Sequence, residues 1–301
     1  MANIYPKIHF DGQLVPSSDA TLHVASSAVL YGLSVYTVFH VTVNDDQYYA
    51  FRLKDHFKRL IDSCRIIGID TFGRDWSYSA FEADMKELLH ANKPAKNVFV
   101  RASIHVNELL PGTRSRGLKT SLSAFVYDAD PIVPTNGAKL KTSVWRRTPD
   151  YSIPSRAKVN GAYVNSVLAR QDAIDSGYDD CILLDVNGHV AELSAANIFI
   201  VRGGTLVTPD TNTDILEGIN RRTVIELAKD LNIPVAQRSI DLTELYIADE
   251  VFITGTSSFL TPVFMIDARE IEMLENGITT KLASAYYKVL RSPESPYQTL
   301  L

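Results

Sequence analysis

Apolar and polar positions change spacing along the chain, and each spacing predicts an element. Lys7-Ile8-His9-Phe10 and Gln13-Leu14-Val15 flank Asp11-Gly12, a pair that favours a two-residue hairpin turn. A strand is expected over 34–43, turning at Asn44-Asp45-Asp46 into a second over 47–51. Leu53, Phe57, Leu60, Ile61, Cys64 and Ile67 then recur every three or four residues, the spacing of one helix face, and Gly68 suits the C-cap. A second helix is expected over 77–92, stopped near Pro94. Apolar strands follow over 97–105 and 120–127, separated by the Gly- and Arg-rich loop 111–117.

Pro131, Pro134 and Asn136-Gly137 make 128–137 the best linker in the chain. Beyond it, strands are expected over 139–145, 180–185, 189–193, 197–201 and 205–208, with turns at Asn187-Gly188 and Gly203-Gly204. Helices are expected over 165–176, 220–231, near 242–247 and over 279–291. The pattern predicts two α+β domains, a smaller one over 1–127 and a larger one over 138–301.

Composition narrows the partner. The 301 residues, 46% hydrophobic, suffice for a large core without disulfides or a structural metal. Lys and Arg number 30 against 35 Asp and Glu, so a generally basic footprint for nucleic acid or an anionic membrane is absent. A small molecule is the expected partner. Cys64 and Cys181 each sit in an apolar run and read as buried thiols. Met1 to Lys7 lacks the apolar core of a signal peptide, and no run of about 18 apolar residues occurs. A reducing cytoplasm fits.

No Walker loop, G-x-G-x-x-G, G-x-S-x-G or H-E-x-x-H is present, and the seven histidines show no ligand spacing, so no metal is expected. Two segments suit a phosphate instead. Leu216-Glu217-Gly218-Ile219-Asn220 enters a helix, leaving free amides at a positive dipole end. Thr254-Gly255-Thr256-Ser257-Ser258 places hydroxyls and amides at a strand end. Taken singly, the first reads equally as an N-cap and the second as a turn. Lys158 lies among small and apolar neighbours; most lysines are solvated, but one kept from water can attack a carbonyl. Glu192 ends a strand and is either exposed there or paired with a cationic ring nitrogen.

Taken in order, these pieces resemble a known family. Lys158 with Tyr163, Asp185 to Glu192 with Asn197-Ile198-Phe199, Leu216-Glu217-Gly218-Ile219 and Phe252-Ile253-Thr254-Gly255-Thr256 resemble the fold-type IV pyridoxal-phosphate enzymes. The branched-chain aminotransferases look closest, and Leu30 to Tyr36, Ala50 to His56 and Ile278 to Leu282 extend the resemblance over almost the whole chain.

The resemblance implies a two-domain fold of that type, with the larger domain carrying the cofactor lysine. Lys158 would bind pyridoxal 5'-phosphate covalently and, once released by substrate, carry the proton between substrate and cofactor carbons. Glu192 would pair with the ring nitrogen and Tyr163 with the phenolic oxygen. Arg52, the amides of Ile219 and Asn220 behind Gly218, and the Thr256 hydroxyl would hold the phosphate, with Leu216 on a ring face. Tyr31, Tyr36, Val38, His40, Phe99, Arg101, Arg114, Thr256 and Ser257 would belong to the substrate pocket, between the domains and completed by a second subunit of a homodimer. Arg101 would take the side-chain carboxylate of glutamate.

Tyr36-Thr37-Val38-Phe39-His40 departs from the Phe-Glu-Gly-Ile-Arg usual in branched-chain enzymes, and Tyr36 with Val38 resembles the (R)-selective amine transaminases. The expected activity is transfer of an amino group from branched-chain or other apolar L-amino acids to 2-oxoglutarate by a ping-pong mechanism. The alternatives are an (R)-amine:pyruvate transaminase, alone or as a dual activity, a D-amino acid transaminase or an aminodeoxychorismate lyase. A non-enzymatic phosphate-binding protein would leave Lys158, Tyr163 and Glu192 unexplained.

Overall fold

A computed structural model describes residues 3–72 and 76–301; Met1 and Ala2, part of the N-terminal segment read above, lie outside it. The elements run β1 (Ile4–Phe10), β2 (Gln13–Pro16), α1 (Ser27–Tyr31), β3 (Ser34–Asn44), β4 (Gln47–Phe51), α2 (Leu53–Ile66), α3 (Tyr78–Asn92), β5 (Val98–Val106), β6 (Thr120–Asp128) and β7 (Ala138–Arg146). After a 3-10 turn over Asn160–Ala162 come α4 (Tyr163–Asp175), β8 (Asp180–Leu184), β9 (Val190–Leu193), β10 (Asn197–Arg202), β11 (Thr205–Thr208), α5 (Ile219–Asp230) and β12 (Val235–Gln237). The last elements are α6 (Leu242–Leu245), β13 (Glu250–Gly255), β14 (Phe259–Ile266), β15 (Arg269–Glu270), α7 (Ile278–Arg291) and β16 (Gln298–Leu300).

Contacts sort the chain into two compact units. One comprises Met1–Asp130 with Ala157–Ala162 and Leu290–Leu301; the other comprises Pro131–Arg156 and Tyr163–Val289. The expected division is 1–127 from 138–301. Lys158 was expected in the second domain, yet its segment lies with the first unit. The reason is long-range pairing: Val159 bridges to Val35, and the Tyr36 amide donates to the Lys158 carbonyl at 3.0 Å.

The first unit holds one seven-stranded sheet in the order β16-β4-β3-β5-β6-β1-β2. Strand β3 is buried along most of its length, because both of its faces are used. Val35, Thr37, Phe39 and Val41 share one face, since alternate residues of a strand point the same way. Phe39 packs on His56 of α2 and edge-on against Phe81 of α3. Leu60, Met85, Leu88 and Leu89 complete that core. The other face of the sheet carries Tyr36, Val38 and His40.

The second unit holds a nine-stranded sheet in the order β12-β11-β10-β13-β14-β7-β8-β9, with β15 paired to β14. Its core gathers Leu140, Ile182, Val190, Ile198, Ile200, Val251, Ile253 and Val263. Arg147 sits just beyond β7, and β8 links β7 to β9, where Glu192 lies opposite Leu183. Among the described residues, no helix is long and apolar enough to cross a membrane.

Candidate active site

In the first unit the antiparallel register gathers the expected substrate residues on one face. Tyr36 stands opposite Ser103, Val38 opposite Arg101 and His40 opposite Phe99. Cross-strand partners project to the same side, so these five expected side chains form one patch. On the next strand, Phe125 faces Arg101 and Tyr127 faces Phe99. Ser123, Phe125 and Tyr127 are only half-buried, so this face is less covered than its opposite. Phe125 and Tyr127 were missed in the sequence, although the period-two spacing of β6 could have marked them.

Lys158 reaches that same face. Its Nζ lies 4.8 Å from the centroid of the Tyr36 ring, and the Arg101 guanidinium carbon lies 3.6 Å from it. The lysine's backbone is fixed on both sides: its amide donates to Ser63 Oγ at 3.0 Å, and its carbonyl accepts from Tyr36. Ser63 Oγ in turn donates to the Arg59 carbonyl at 2.7 Å. Close approach of Gly32 and Gly161 seats the segment, with the Gly161 amide 3.2 Å from the Gly32 carbonyl. Gly32 has φ 65°, and a Cβ there would stand 2.8 Å from Gly161 Cα. Arg101 donates to Asn160 Oδ1 at 2.7 Å, a partner that sequence reasoning did not single out.

His40 is buried edge-on against Phe99, and burial, with Arg291 adding to it, pulls its pKa down to about 4. It is therefore neutral at pH 7. Arg52 caps α2 with φ 51°, a left-handed conformation costing a non-glycine residue on the order of 1 kcal/mol. Its Nε is 2.7 Å from Asp55 Oδ2, and its guanidinium lies 4.6 Å over the Tyr297 ring. Tyr31 is half-exposed at the end of α1. Arg114 lies in the loop before β6.

In the second unit Glu192 is 7% exposed and held by Arg147, Asn197 and the Leu216 amide. Its Oε1 lies 2.9 Å from Arg147 Nε, and its Oε2 accepts from Asn197 Nδ2 and the Leu216 amide, each at 3.1 Å. Arg147 was not expected; nothing in its run of arginines distinguishes it. Gly218 is the N-cap of α5 and supplies no side-chain acceptor to the first-turn amides. A Cβ at Gly218 would meet Asn197 Oδ1 at 2.1 Å, so only glycine fits beside that amide. Asn220 turns its side chain to the Tyr286 hydroxyl at 2.9 Å, which fixes the start of α5. Thr256 and Ser257 follow the end of β13, where the Ser257 carbonyl accepts from the Ile132 amide at 3.0 Å. Tyr163 opens α4.

Each unit carries groups whose chemistry suits a phosphorylated pyridine aldehyde. Lys158 offers an amine, Glu192 a buried carboxylate locked in orientation, and the glycine-capped start of α5 a set of amides facing no side-chain cap. Among the described residues, no cluster of His, Cys, Asp and Glu is suited to a metal.

Residues 34–266 match the family described as amino-transferase class IV. The chain is 37% identical over 299 residues to a probable branched-chain-amino-acid aminotransferase of Aquifex aeolicus, covering 97% of this chain and 94% of that one. Its fold matches a branched-chain aminotransferase of Thermoproteus uzoniensis solved with norvaline, with TM-score 0.93, 34% identity and 99% of both chains covered. It also matches a branched-chain amino acid aminotransferase of Thermobaculum terrenum solved in its PLP-form, with TM-score 0.89, 28% identity, and 99% of this chain and 98% of that one covered.

Proposed function

The chain belongs to the class IV amino-transferases, and from that premise we propose that it exchanges the amino group of branched-chain and other apolar L-amino acids with 2-oxoglutarate. It is a pyridoxal-phosphate-dependent aminotransferase. The observation that carries the substrate assignment is the meeting of Lys158 and Arg101 on the Tyr36 ring, within an otherwise mostly apolar and aromatic patch. One patch thus offers apolar contact for a branched side chain and a cation for the carboxylate of glutamate.

When bound, the cofactor supplies an electrophilic carbon and an electron-withdrawing ring. Lys158 Nζ would carry the proton between substrate Cα and the aldehyde-derived carbon of the cofactor. Glu192, oriented by Arg147 and Asn197, would pair with the ring nitrogen. Amides of Ile219 and Asn220, with Arg52 and Thr256, would hold the phosphate; Leu216 would pack on the ring and Tyr163 would hydrogen-bond its phenolic oxygen. Tyr31, Tyr36, Val38, His40, Phe99, Arg101, Arg114, Thr256 and Ser257 form the substrate-binding set.

The working form is a homodimer in the cytoplasm. Supporting it, Val164, Val167 and Leu168 lie exposed at helical spacing on α4, and Val144 and Trp145 lie exposed on β7, against which α4 packs. Both cysteines are buried and free.

The test is a set of single-turnover reactions followed by the cofactor's absorbance. L-leucine and L-glutamate are expected to convert the bound cofactor to its amine form. Exclusive reaction with (R)-1-phenylethylamine or with D-alanine would replace the assignment by an amine or D-amino acid transaminase. Pyruvate release from aminodeoxychorismate without an acceptor would make the protein a lyase.

A further inference from the structure

We propose that Asn160 is a positioning residue that sets the preference for acidic substrates, by holding the Arg101 guanidinium over Tyr36 and beside Lys158. The inference rests on the proposed role of Arg101 as receiver of the glutamate side-chain carboxylate.

Arginine carries a long, mobile side chain, so a guanidinium on a half-covered strand face needs something to fix it. Two groups do so here. The Tyr36 ring lies 3.6 Å from the guanidinium carbon, and Asn160 Oδ1 accepts from one terminal nitrogen at 2.7 Å. Among the described residues no carboxylate pairs with Arg101. The acceptor is a neutral amide oxygen, which orients the guanidinium without cancelling its charge. One donor of five is committed to Asn160, so a fork remains for an incoming carboxylate.

The position of Asn160 gives this bond a second meaning. It lies two residues beyond Lys158 and opens the 3-10 turn that Gly161 seats against Gly32. The cation that selects the substrate is therefore anchored to the same short segment as the amine that reacts with it. A dicarboxylate held by Arg101 has its α-carbon at a distance from Lys158 set by that segment. An apolar substrate makes no use of the Arg101 charge, so Asn160 matters to one substrate class and not to the other.

The experiment compares the holoenzyme with its Asn160→Ala, Asn160→Asp and Arg101→Gln variants. Single-turnover kinetics use L-glutamate and L-leucine. Calorimetry measures binding of glutarate, a dicarboxylate with no amine to transfer, against 4-methylpentanoate. Loss of one hydrogen bond to a charged group predicts that Asn160→Ala lowers kcat/KM for glutamate about tenfold, mainly through KM, and weakens glutarate similarly. Leucine and 4-methylpentanoate stay within about twofold. Asn160→Asp, nearly isosteric and still an acceptor, keeps the turn folded but neutralises Arg101. It is expected to lower glutamate use more than Asn160→Ala does, on the order of a hundredfold. Equal losses for both substrates in Asn160→Ala, or normal glutamate use by Asn160→Asp, overturn the proposal. If Arg101→Gln discriminates between the substrates and the Asn160 variants do not, the proposal falls and Arg101 keeps its role. If Arg101→Gln harms both substrates alike, the role of Arg101 falls and the proposal with it.

Discussion

Replacing Gly32 with alanine tests whether the lysine segment is held where the structure puts it. Gly32 closes α1 with φ 65° and ψ 22°. Alanine in that left-handed conformation costs about 1–2 kcal/mol. Its Cβ would also stand 2.8 Å from Gly161 Cα and 3.3 Å from Gly161 N, both backbone atoms that no rotamer change can move. Relief requires the 160–162 turn to retreat, losing the 3.2 Å bond from the Gly161 amide to the Gly32 carbonyl, worth about 1 kcal/mol net. The sum of roughly 2–3 kcal/mol lowers the melting temperature by about 5–10 °C. The same retreat displaces Lys158, and a shift of even part of an ångström is expected to cost about tenfold to a hundredfold in the single-turnover rate with leucine. Gly12→Ala is the control. Gly12 has φ 81°, yet a Cβ there meets nothing within 4 Å, so it carries the backbone strain without the collision. Both variants are measured well below their melting temperatures. A Gly32→Ala enzyme as fast as Gly12→Ala would refute the seating of the lysine segment on that turn.

Glu250 is 4% exposed and accepts from the Ile278 and Thr279 amides, each at 2.8 Å, at the start of α7. Glu250→Ala should cost about 2 kcal/mol, seen as a lower urea midpoint at unchanged slope; an unmoved midpoint would dismiss the cap. Burial, with Arg101 adding to it, pulls His105 down to about 4, as burial with Arg291 does for His40. The unfolded chain therefore binds these protons first, and stability falls as pH drops from about 6.5 toward 4, by at most about 1.4 kcal/mol per unit for each histidine. Urea melts across that window should show a shallower fall in His105→Gln; an identical fall in both proteins would contradict the shift. Lys158→Ala should leave circular dichroism unchanged, abolish turnover and prevent borohydride from fixing cofactor to the chain. Normal transamination by that variant would assign the chemistry to another lysine.

Local chemistry made much of the fold legible. Asp11-Gly12 forms the turn between β1 and β2, and the helical recurrence from Leu53 falls on α2. Elements governed by distant partners were less visible. Pro262 argues against a strand, yet it sits within β14 opposite Phe252, and β12 and β16 are three-residue strands too short to carry a pattern. The site shows the same divide. Lys158 and Glu192 could be singled out by their neighbours, and family resemblance added their roles. Arg147 and Asn160 could not, because their meaning lies in contacts with Glu192 and Arg101 that only the folded sheets create.

Strand β16 pairs Gln298 with Phe51 and Leu300 with Tyr49, and Leu301 behind it is buried. During synthesis the ribosome therefore releases the partner of β4 long after β4 itself. Until then a row of unpaired backbone groups stands open at the edge of the first sheet, a template for pairing with another nascent chain. Yield of native protein should consequently depend on chaperone supply and growth temperature.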